Sequence, residues 1–371
     1  MIYCQRTINI ALFLGAFSGL FGLQGCTQHG HGTLSKPMPT IVAPDPDNGS
    51  WAKLDVPSGS IGASAWSPDH KYLAAEIMVA PPAGASQDDS EQFVVIEDMA
   101  THKVCRLPDT VHSPLAWLPS GRMLVAGNTT GDNETPGIAW IGLDGVITRS
   151  VTLPDDISNV LCITPLDADQ EVAFIAQRET KNGVTSAVYT TSGTEIETFA
   201  ESDDVDLDGL YCLNSATGSK LFWTRWTAEA DKVSIELYSI SVNNPDKAPR
   251  LLSSSTIAMA AGNKDADADA EVTSVTFSPD GGMVAITCGI LVQGASADAP
   301  PAYKQGNYLI DVHTGVCKTV LPVIALDDDL FNVWAATGQK FASTEMIAGN
   351  LQLDLWTRDG AGPTRVPYPA Q

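Results

Sequence analysis

Carboxylates at alternate positions are the clearest chemical feature of this chain. Residues 204–209 read DVDLDG, so three Asp alternate with apolar residues before a Gly. This is the first half of a calcium-binding loop, in which several oxygens converge on one hard cation and Gly permits the sharp turn. The twelfth position holds Ser215 instead of a bidentate Glu. Asp204, Asp206 and Asp208 are a candidate calcium site; alternatively, the segment begins an inner strand and the acids are its solvated flank.

The chain as a whole is strongly acidic. It has 44 Asp and Glu against 21 Lys and Arg, a formal net charge of −23. Such a surface repels nucleic acid and anionic lipid headgroups and attracts cationic proteins, cationic ligands or divalent ions. Many of the acids occur in short polar runs that are typical of loops. The acids of these runs that we assign to a docking surface are Asp88, Asp89, Asp155, Asp156, Asp265, Asp267, Asp269, Asp327, Asp328 and Asp329.

Catalytic motifs are absent from the sequence. The nucleophile signature Gly-x-Ser-x-Gly is missing, and the nearest match, residues 62–66, departs from it at the last position, Trp66. His70, His102, His112 and His313 are the histidines beyond residue 50. Two loop carboxylates at a suitable separation would still serve a glycosidase-like reaction. We therefore expect a binding protein without a catalytic residue or resident cofactor, and keep a propeller hydrolase that uses loop carboxylates as the alternative.

The N-terminus resembles a secretion signal. An apolar run from Ile8 to Leu23 follows the single basic residue Arg6 and is short for a bilayer span. It leads into Leu-Gln-Gly-Cys, ending at Cys26, which resembles the lipobox of bacterial lipoproteins. We expect residues 1–25 to be a lipoprotein signal peptide, Cys26 to be lipidated, and the small, polar and Pro-containing residues 26–50 to be a flexible tether. Ordinary secretion and an uncleaved anchor are the alternatives.

The rest of the chain contains five cysteines, Cys105, Cys162, Cys212, Cys288 and Cys317. An extracytoplasmic compartment permits disulfides among them, but their spacing does not indicate which would pair. Because their number is odd, at least one thiol remains free within the chain. No Cys-x-x-Cys or Cys/His metal spacing is present.

A recurring phrase indicates how these residues are positioned. Residues 64–76 read SAWSPDHKYLAAE, residues 115–127 read LAWLPSGRMLVAG, and residues 275–287 read VTFSPDGGMVAIT. An apolar residue ends one strand, Pro fixes φ, Asp caps the turn, Gly accepts positive φ, and an apolar run begins the next strand. The phrase therefore predicts a β-hairpin. Weaker copies around Ile163, Leu213 and Trp334 give six in all, spaced by roughly 45 to 65 residues, close to the period of β-propeller blades.

The hairpin phrase resembles the WD40-like PD40 repeat of TolB-type six-bladed propellers. The resemblance rests on Ser-Pro-Asp at 67–69, Ser-Pro-Asp-Gly at 278–281 and the looser Leu-Pro-Ser-Gly at 118–121, and covers most of residues 60–367. It implies an all-β fold over residues 51–371, a six-bladed β-propeller of four-stranded antiparallel blades. The motif is structural and implies no activity. TolB's separate N-terminal domain has no counterpart in the sequence, so the resemblance does not extend to a Tol-Pal role.

Alternatives to this fold are a seven-bladed ring and an open sandwich of two sheets. In the six-bladed ring we expect the stretch from Trp51 to Val56 to pair with the last blade, because closing the ring removes exposed strand edges. We also expect the aligned tryptophans, such as Trp117 and Trp334, to fill blade cores.

Propeller topology also predicts where the acids lie. The connections between blades and the loops between second and third strands share one face, here called the top face; the hairpin turns lie on the opposite, bottom face. All acids of the docking surface fall in connections between blades or in loops between second and third strands, and we therefore expect them on the top face. We therefore expect a monomeric, extracytoplasmic propeller, anchored in the membrane by its N-terminal lipid, that binds an envelope protein or cationic ligand through an acidic top face.

Overall fold

The computed structural model describes residues 41–56, 60–79, 91–130, 136–166, 171–181, 183–202, 206–213, 219–229, 232–242, 248–258, 270–292, 302–325, 332–335, 337–347 and 350–367. These residues form six four-stranded antiparallel sheets and one two-stranded sheet. Each four-stranded sheet consists of four consecutive strands and is one blade. The expected all-β, six-bladed propeller is confirmed, and the seven-bladed and sandwich alternatives are wrong.

The strand bounds follow the repeat. The two-stranded sheet comprises β1 (Ile41–Asp45) and β2 (Ser50–Leu54). Blade 1 comprises β3 (Ser60–Trp66), β4 (Tyr72–Val79), β5 (Glu91–Asp98) and β6 (Lys103–Arg106). Blade 2 comprises β7 (Leu115–Trp117), β8 (Met123–Thr130), β9 (Pro136–Gly142) and β10 (Ile147–Thr152). Blade 3 comprises β11 (Ile157–Pro165), β12 (Val172–Thr180), β13 (Gly183–Thr191) and β14 (Ile196–Ser202).

The second half of the ring has the same order. Blade 4 comprises β15 (Asp206–Leu213), β16 (Lys220–Glu229), β17 (Lys232–Ser241) and β18 (Arg250–Ala258). Blade 5 comprises β19 (Ala270–Phe277), β20 (Met283–Val292), β21 (Ala302–Asp311) and β22 (Cys317–Ala325). Blade 6 comprises β23 (Asn332–Trp334), β24 (Lys340–Ile347), β25 (Asn350–Thr357) and β26 (Thr364–Pro367).

The Ser-Pro-Asp turns form the predicted hairpins. In blade 5 the Ser278 hydroxyl donates to the Asp280 carboxylate over 2.7 Å and accepts the Met283 N–H over 2.9 Å. Gly281, at φ +65°, then reverses the chain. The same reversal is made by Gly121 at φ +66° and Gly338 at φ +65°, but in blade 1 by His70 at φ 55°. Because a side chain at positive φ is unfavourable, His70 is the exception among these four turns.

Apolar side chains fill the gaps between consecutive blades. A separate buried cluster joins each of the blade pairs 1–2, 2–3, 3–4, 4–5 and 5–6. The central strands pack on both faces, so consecutive residues such as Ile138 to Ile141 in β9 are all buried. Trp117 and Trp334 extend from this packing and donate their indole N–H groups to the preceding blade, at Ala65 O (2.8 Å) and Thr276 O (3.0 Å). As expected, Trp117 is part of the buried packing, and Trp334 is partly buried against the cluster of blades 5 and 6.

The junction between blades 6 and 1 is built differently. Here the β1–β2 hairpin lies between the blades, and β1 contacts both β3 and β24. Ala43, Ala52 and Leu54 form a buried cluster with blade 1. Toward blade 6, the Trp51 indole donates to Val366 O (3.3 Å) and Pro367 O (3.1 Å). The expected pairing of residues 51–56 with the last blade is wrong, because β2 takes β1 as its antiparallel partner.

The hairpin also changes where the fold begins. Residues 41–50 were expected in the tether, yet they form β1, a turn and the start of β2, because backbone pairing with β2 and burial of Ala43 order them. Residues 1–40, with Cys26, lie outside the described part of the chain. Within the described residues there is no helix of the length and apolarity that a bilayer crossing requires.

None of the five cysteines of the propeller forms a disulfide bond. Burial raises the pKa of Cys317 to about 11 and raises that of Cys288 further still. Both side chains are therefore protonated at neutral pH, and because the thiolate is the reactive form, they are poor nucleophiles.

Candidate functional site

The top face carries the predicted acidic residues that the structure describes, Asp155 and Asp156. Both lie in the connection from β10 to β11. Asp155 is exposed, and the Asp156 carboxylate accepts a hydrogen bond from Arg178 Nε over 2.6 Å. Both side chains of this ion pair are more than a third exposed, so its strength is modest. One carboxylate of the two is therefore paired, and Asp155 extends into solvent.

The remaining predicted acids lie outside the described residues: Asp88, Asp89, Asp265, Asp267, Asp269, Asp327, Asp328, Asp329 and Asp204. The strands that flank them are described. β18 and β22 are the last strands of their blades, as β10 is of blade 2. β19 and β23 are the first strands of their blades, as β11 is of blade 3. In antiparallel blades of identical order, these strand ends share one face of the ring.

The other two members of the calcium candidate, Asp206 and Asp208, lie on β15. This strand pairs with β16, opposite Trp226 and Thr224. Leu207 between them is buried. From Asp206 onward the segment is the inner strand of blade 4, with a bulge at Gly209, whose φ is +57°.

A buried carboxylate that the sequence analysis did not single out, Glu76, lies near the top mouth between blades 1 and 2. Its Oε1 accepts the Ser113 backbone N–H over 3.2 Å and lies 3.7 Å from His112 Nδ1. Burial alone would raise the pKa of Glu76, but interactions with His112, Ser113 and Gln92 outweigh it and hold the pKa below its ordinary value. Glu76 is therefore ionised at neutral pH and holds the connection from blade 1 to blade 2.

The same connection is fixed from the other side by Asn128. Its side-chain N–H2 donates to Ser113 O (2.9 Å) and Val160 O (2.8 Å), and its carbonyl accepts the Val160 N–H over 2.7 Å. One side chain thereby links the connection to blade 3. Glu76 and Asn128 are explained by this positioning of the connection.

Glu76 could have been found by comparing the repeats. Aligned on the turn, its position holds Gly127 in blade 2 and Thr287 in blade 5. An acid where the other copies carry a small residue, within an otherwise apolar run, indicates a specific polar partner. That partner, the connection that contains His112, was not evident from local sequence.

On the bottom face, two acids of the hairpin turns, Asp69 and Asp280, are paired with cations. Lys71 Nζ lies 2.7 Å from Asp69 Oδ2, and Arg358 Nη1 lies 2.6 Å from Asp280 Oδ2. Hydrogen bonds from Lys71 and Ser67 lower the pKa of Asp69 to about 2. Burial would raise the pKa of Asp280, but Arg358 and Ser278 bring it down to about 2. These acids serve their own turns and their neighbours, in contrast to the exposed Asp155.

An open groove of about 820 Å³ lies on the bottom face between blades 5 and 6. It is lined by Lys318, Lys340 and Arg358 together with Asp311 and Asp359. Arg358 pairs with Asp280, and Lys318 donates to Asp359 O. The groove therefore mixes both signs of charge and does not select a ligand by charge.

Three similar solved structures are distant from this chain in sequence. TolB from Acinetobacter baumannii is 15% identical with a TM-score of 0.47, over 81% of this chain and 64% of that chain. The propeller domain of the Trilobed protease from Pyrococcus furiosus is 12% identical with a TM-score of 0.48, over 84% and 85%. Hydrazine synthase from Kuenenia stuttgartiensis is 14% identical with a TM-score of 0.50, over 89% and 80%. No family model and no curated protein matches the chain.

These similarities concern the fold alone. This chain spans less than two thirds of the TolB chain that it matches.

Proposed function

We propose that this protein is an extracytoplasmic propeller, tethered to the membrane by a lipid at Cys26, that docks a cationic envelope protein or ligand on its acidic top face. The observation that carries the proposal is the contrast between the top-face Asp155 and two acids of the bottom hairpin turns. Asp155 extends from the top without an ion-pair partner among the described residues, whereas the bottom acids Asp69 and Asp280 are paired with cations.

Charge accounting supports the same assignment. The chain has 23 more acidic than basic residues. The described bottom turns contain lysine and arginine as well as acids, so they hold little of this excess. The acid runs at 88–89, 265–269 and 327–329 fall between strands whose ends share the top face, and an excess of one charge sign on one face attracts a partner of the opposite sign.

The domain assignment behind this proposal is a signal peptide at residues 1–25, a tether after Cys26 and a propeller from residue 41 onward. A tethered propeller keeps one rigid disc near the membrane surface, and we propose that it acts as a monomer. Calcium at Asp204, Asp206 and Asp208 would add a divalent ion to the same face.

The experiment that tests docking is a pair of charge-matched triple variants of the full, detergent-solubilised chain. The top variant carries Asp265→Asn, Asp267→Asn and Asp269→Asn; the bottom control carries Glu171→Gln, Glu195→Gln and Glu197→Gln at exposed positions of blade 3. Each protein is immobilised and exposed to an envelope extract at low and at high salt. We expect the parent and bottom variant to capture the same species, which salt releases, and the top variant to retain several-fold less.

Equal capture by the two triple variants would overturn the acidic-face proposal, as would capture that salt leaves unchanged. Cys26→Ser separates anchoring from docking, because it is expected to move the protein from the membrane to the soluble fraction without altering capture. Cys26→Ser protein that remains in the membrane fraction would contradict the lipid anchor.

A further inference from the structure

A second chemical cluster lies where the hairpin meets blade 1, away from the top face. Asp45 and Asp47 come from β1 and the turn that follows it, and His70 comes from the first hairpin turn of blade 1. One ligand atom from each lies within 4.8 Å of the others. The His70 Nε2 to Asp47 Oδ2 distance is 3.0 Å. Two segments distant along the sequence thus converge two carboxylates and one imidazole.

Asp45 is a buried carboxylate without a cationic neighbour other than this histidine. Its residue is 6% exposed. Its oxygens accept hydrogen bonds from the Asn48 backbone N–H (3.1 Å) and side-chain N–H2 (2.7 Å). No lysine or arginine of the described residues forms an ion pair with it. Because a buried ionised carboxylate is costly without a compensating positive charge, the site favours a cation.

The His70 imidazole is held in place by stacking, and one of its nitrogens lacks a hydrogen-bond partner among the described residues. The His70 ring stacks on Trp66, with centroids 5.4 Å apart and planes at 19°. Its Nδ1 is buried and has no hydrogen-bond partner among the described residues. Stacking thus orients the ring with Nε2 toward Asp47 Oδ2, 3.0 Å away, and an imidazole nitrogen held beside carboxylates in this way suits metal coordination.

The turn itself singles out His70. Gly121, Gly281 and Gly338 occupy the equivalent positions at φ near +65°, whereas His70 adopts φ 55°. A side chain in this region costs of order 1 kcal/mol or more, so its presence calls for a compensating interaction.

We propose that Asp45, Asp47 and His70 bind a divalent transition metal ion of the zinc class, which joins the N-terminal hairpin to blade 1. Imidazole combined with carboxylates suits zinc, whereas calcium prefers oxygen ligands alone. Three protein ligands leave one tetrahedral position for water or for a partner's side chain. The ion fastens the hairpin at the seam of the ring, a role separate from docking on the top face.

The test measures zinc stoichiometry of the full chain by titration against a chromophoric zinc indicator, in a background of His29→Ala and His31→Ala so that these two histidines do not bind zinc. We expect one zinc ion per chain, lost in His70→Gly and in Asp47→Asn. His70→Gly installs the residue that the other three turns carry, so the turn still forms. His313→Asn, in an exposed turn of blade 5, is the control and should retain the ion.

Thermal unfolding provides a second measurement. Binding to the folded state alone raises its stability as zinc exceeds the dissociation constant, so the unfolding temperature of the parent should rise with zinc and that of His70→Gly should not. Failure of the parent to bind zinc, or equal binding by His70→Gly, would overturn the proposal. Either result leaves the top-face experiment unaffected, since none of its variants touches this cluster.

Discussion

The seam between blades 6 and 1 and the five interfaces between consecutive blades solve the same problem in different ways. At the interfaces, buried side chains of two adjoining sheets form one cluster, such as the cluster of blades 2 and 3 that contains Trp140 and Phe174. At the seam, a separate hairpin fills the space, packing its small apolar side chains on blade 1 and donating an indole hydrogen bond to blade 6. Continuous packing holds the ring together along most of its circumference, whereas the seam depends on the packing of a small hairpin and on the hydrogen bonds that Trp51 donates to blade 6.

The largest difference in unfolding free energy should appear when one apolar side chain is truncated at an interface between blades and another is truncated at the seam. Phe174→Ala leaves a cavity in a fully buried cluster and is expected to cost about 3 to 5 kcal/mol of unfolding free energy. Leu54→Ala, in the hairpin, is expected to cost about 2 kcal/mol, near the lower limit for such a truncation, because a two-stranded hairpin can shift to fill the space. Urea denaturation followed by tryptophan fluorescence measures both. Equal costs would show that the seam is packed as firmly as the interfaces.

The fold was accessible from the sequence because its determinants are local. The turn from Ser278 to Gly281 encodes a hairpin within a few residues, and copies of it at blade spacing encode a ring. The seam was not accessible, because the role of residues 41–50 depends on β2 and on blades 1 and 6, hundreds of residues away for the Trp51 contact. Their polar, Pro-containing composition resembles that of a tether, and it is pairing with β2 and burial of Ala43 that distinguish the two.

The candidate sites differ in the same way, since some are marked by local sequence and others depend on distant segments. The acid runs were visible because composition alone marks them. Glu76 and the Asp45, Asp47 and His70 cluster were not, because each depends on tertiary partners from another segment. In both cases the available signal was a break in the repeat, an acid or a histidine where the other copies carry a small residue or Gly.

Removal of an indole hydrogen bond should cause an intermediate loss of stability, and it compares an interface between blades with the seam. Trp117 Nε1 donates to Ala65 O across the interface of blades 1 and 2, where the tryptophan is 5% exposed. Trp117→Phe removes this bond and some packing, and we expect a loss of about 1 to 2 kcal/mol. Trp51→Phe removes a more exposed bond at the seam, so we expect less than about 0.5 kcal/mol. Urea midpoints of the two variants, at unchanged slope, measure the difference; a larger loss for Trp51→Phe would reverse the assigned ranking.

The smallest effect concerns an ion pair between consecutive blades, Asp280 of blade 5 with Arg358 of blade 6. The pKa of Asp280 is lowered to about 2 from an ordinary 3.8, so its unfolded form binds a proton more readily than its folded form. Its contribution is therefore present above about pH 4 and is lost as the pH falls through 2. Because the carboxylate is 57% exposed, screening limits the contribution to less than about 1 kcal/mol.

Asp280→Asn should remove this part of the acid sensitivity, so that its unfolding free energy falls less than the parent's between pH 4 and pH 2. Arg358→Gln removes the partner and should reduce the same sensitivity, and the double variant should add little, because both changes delete one interaction. Chemical denaturation at a series of pH values measures these slopes. An Asp280→Asn profile parallel to that of the parent would mean that this pair does not link the blades. The stability of the interface between blades 5 and 6 would then depend on its apolar cluster, which does not titrate.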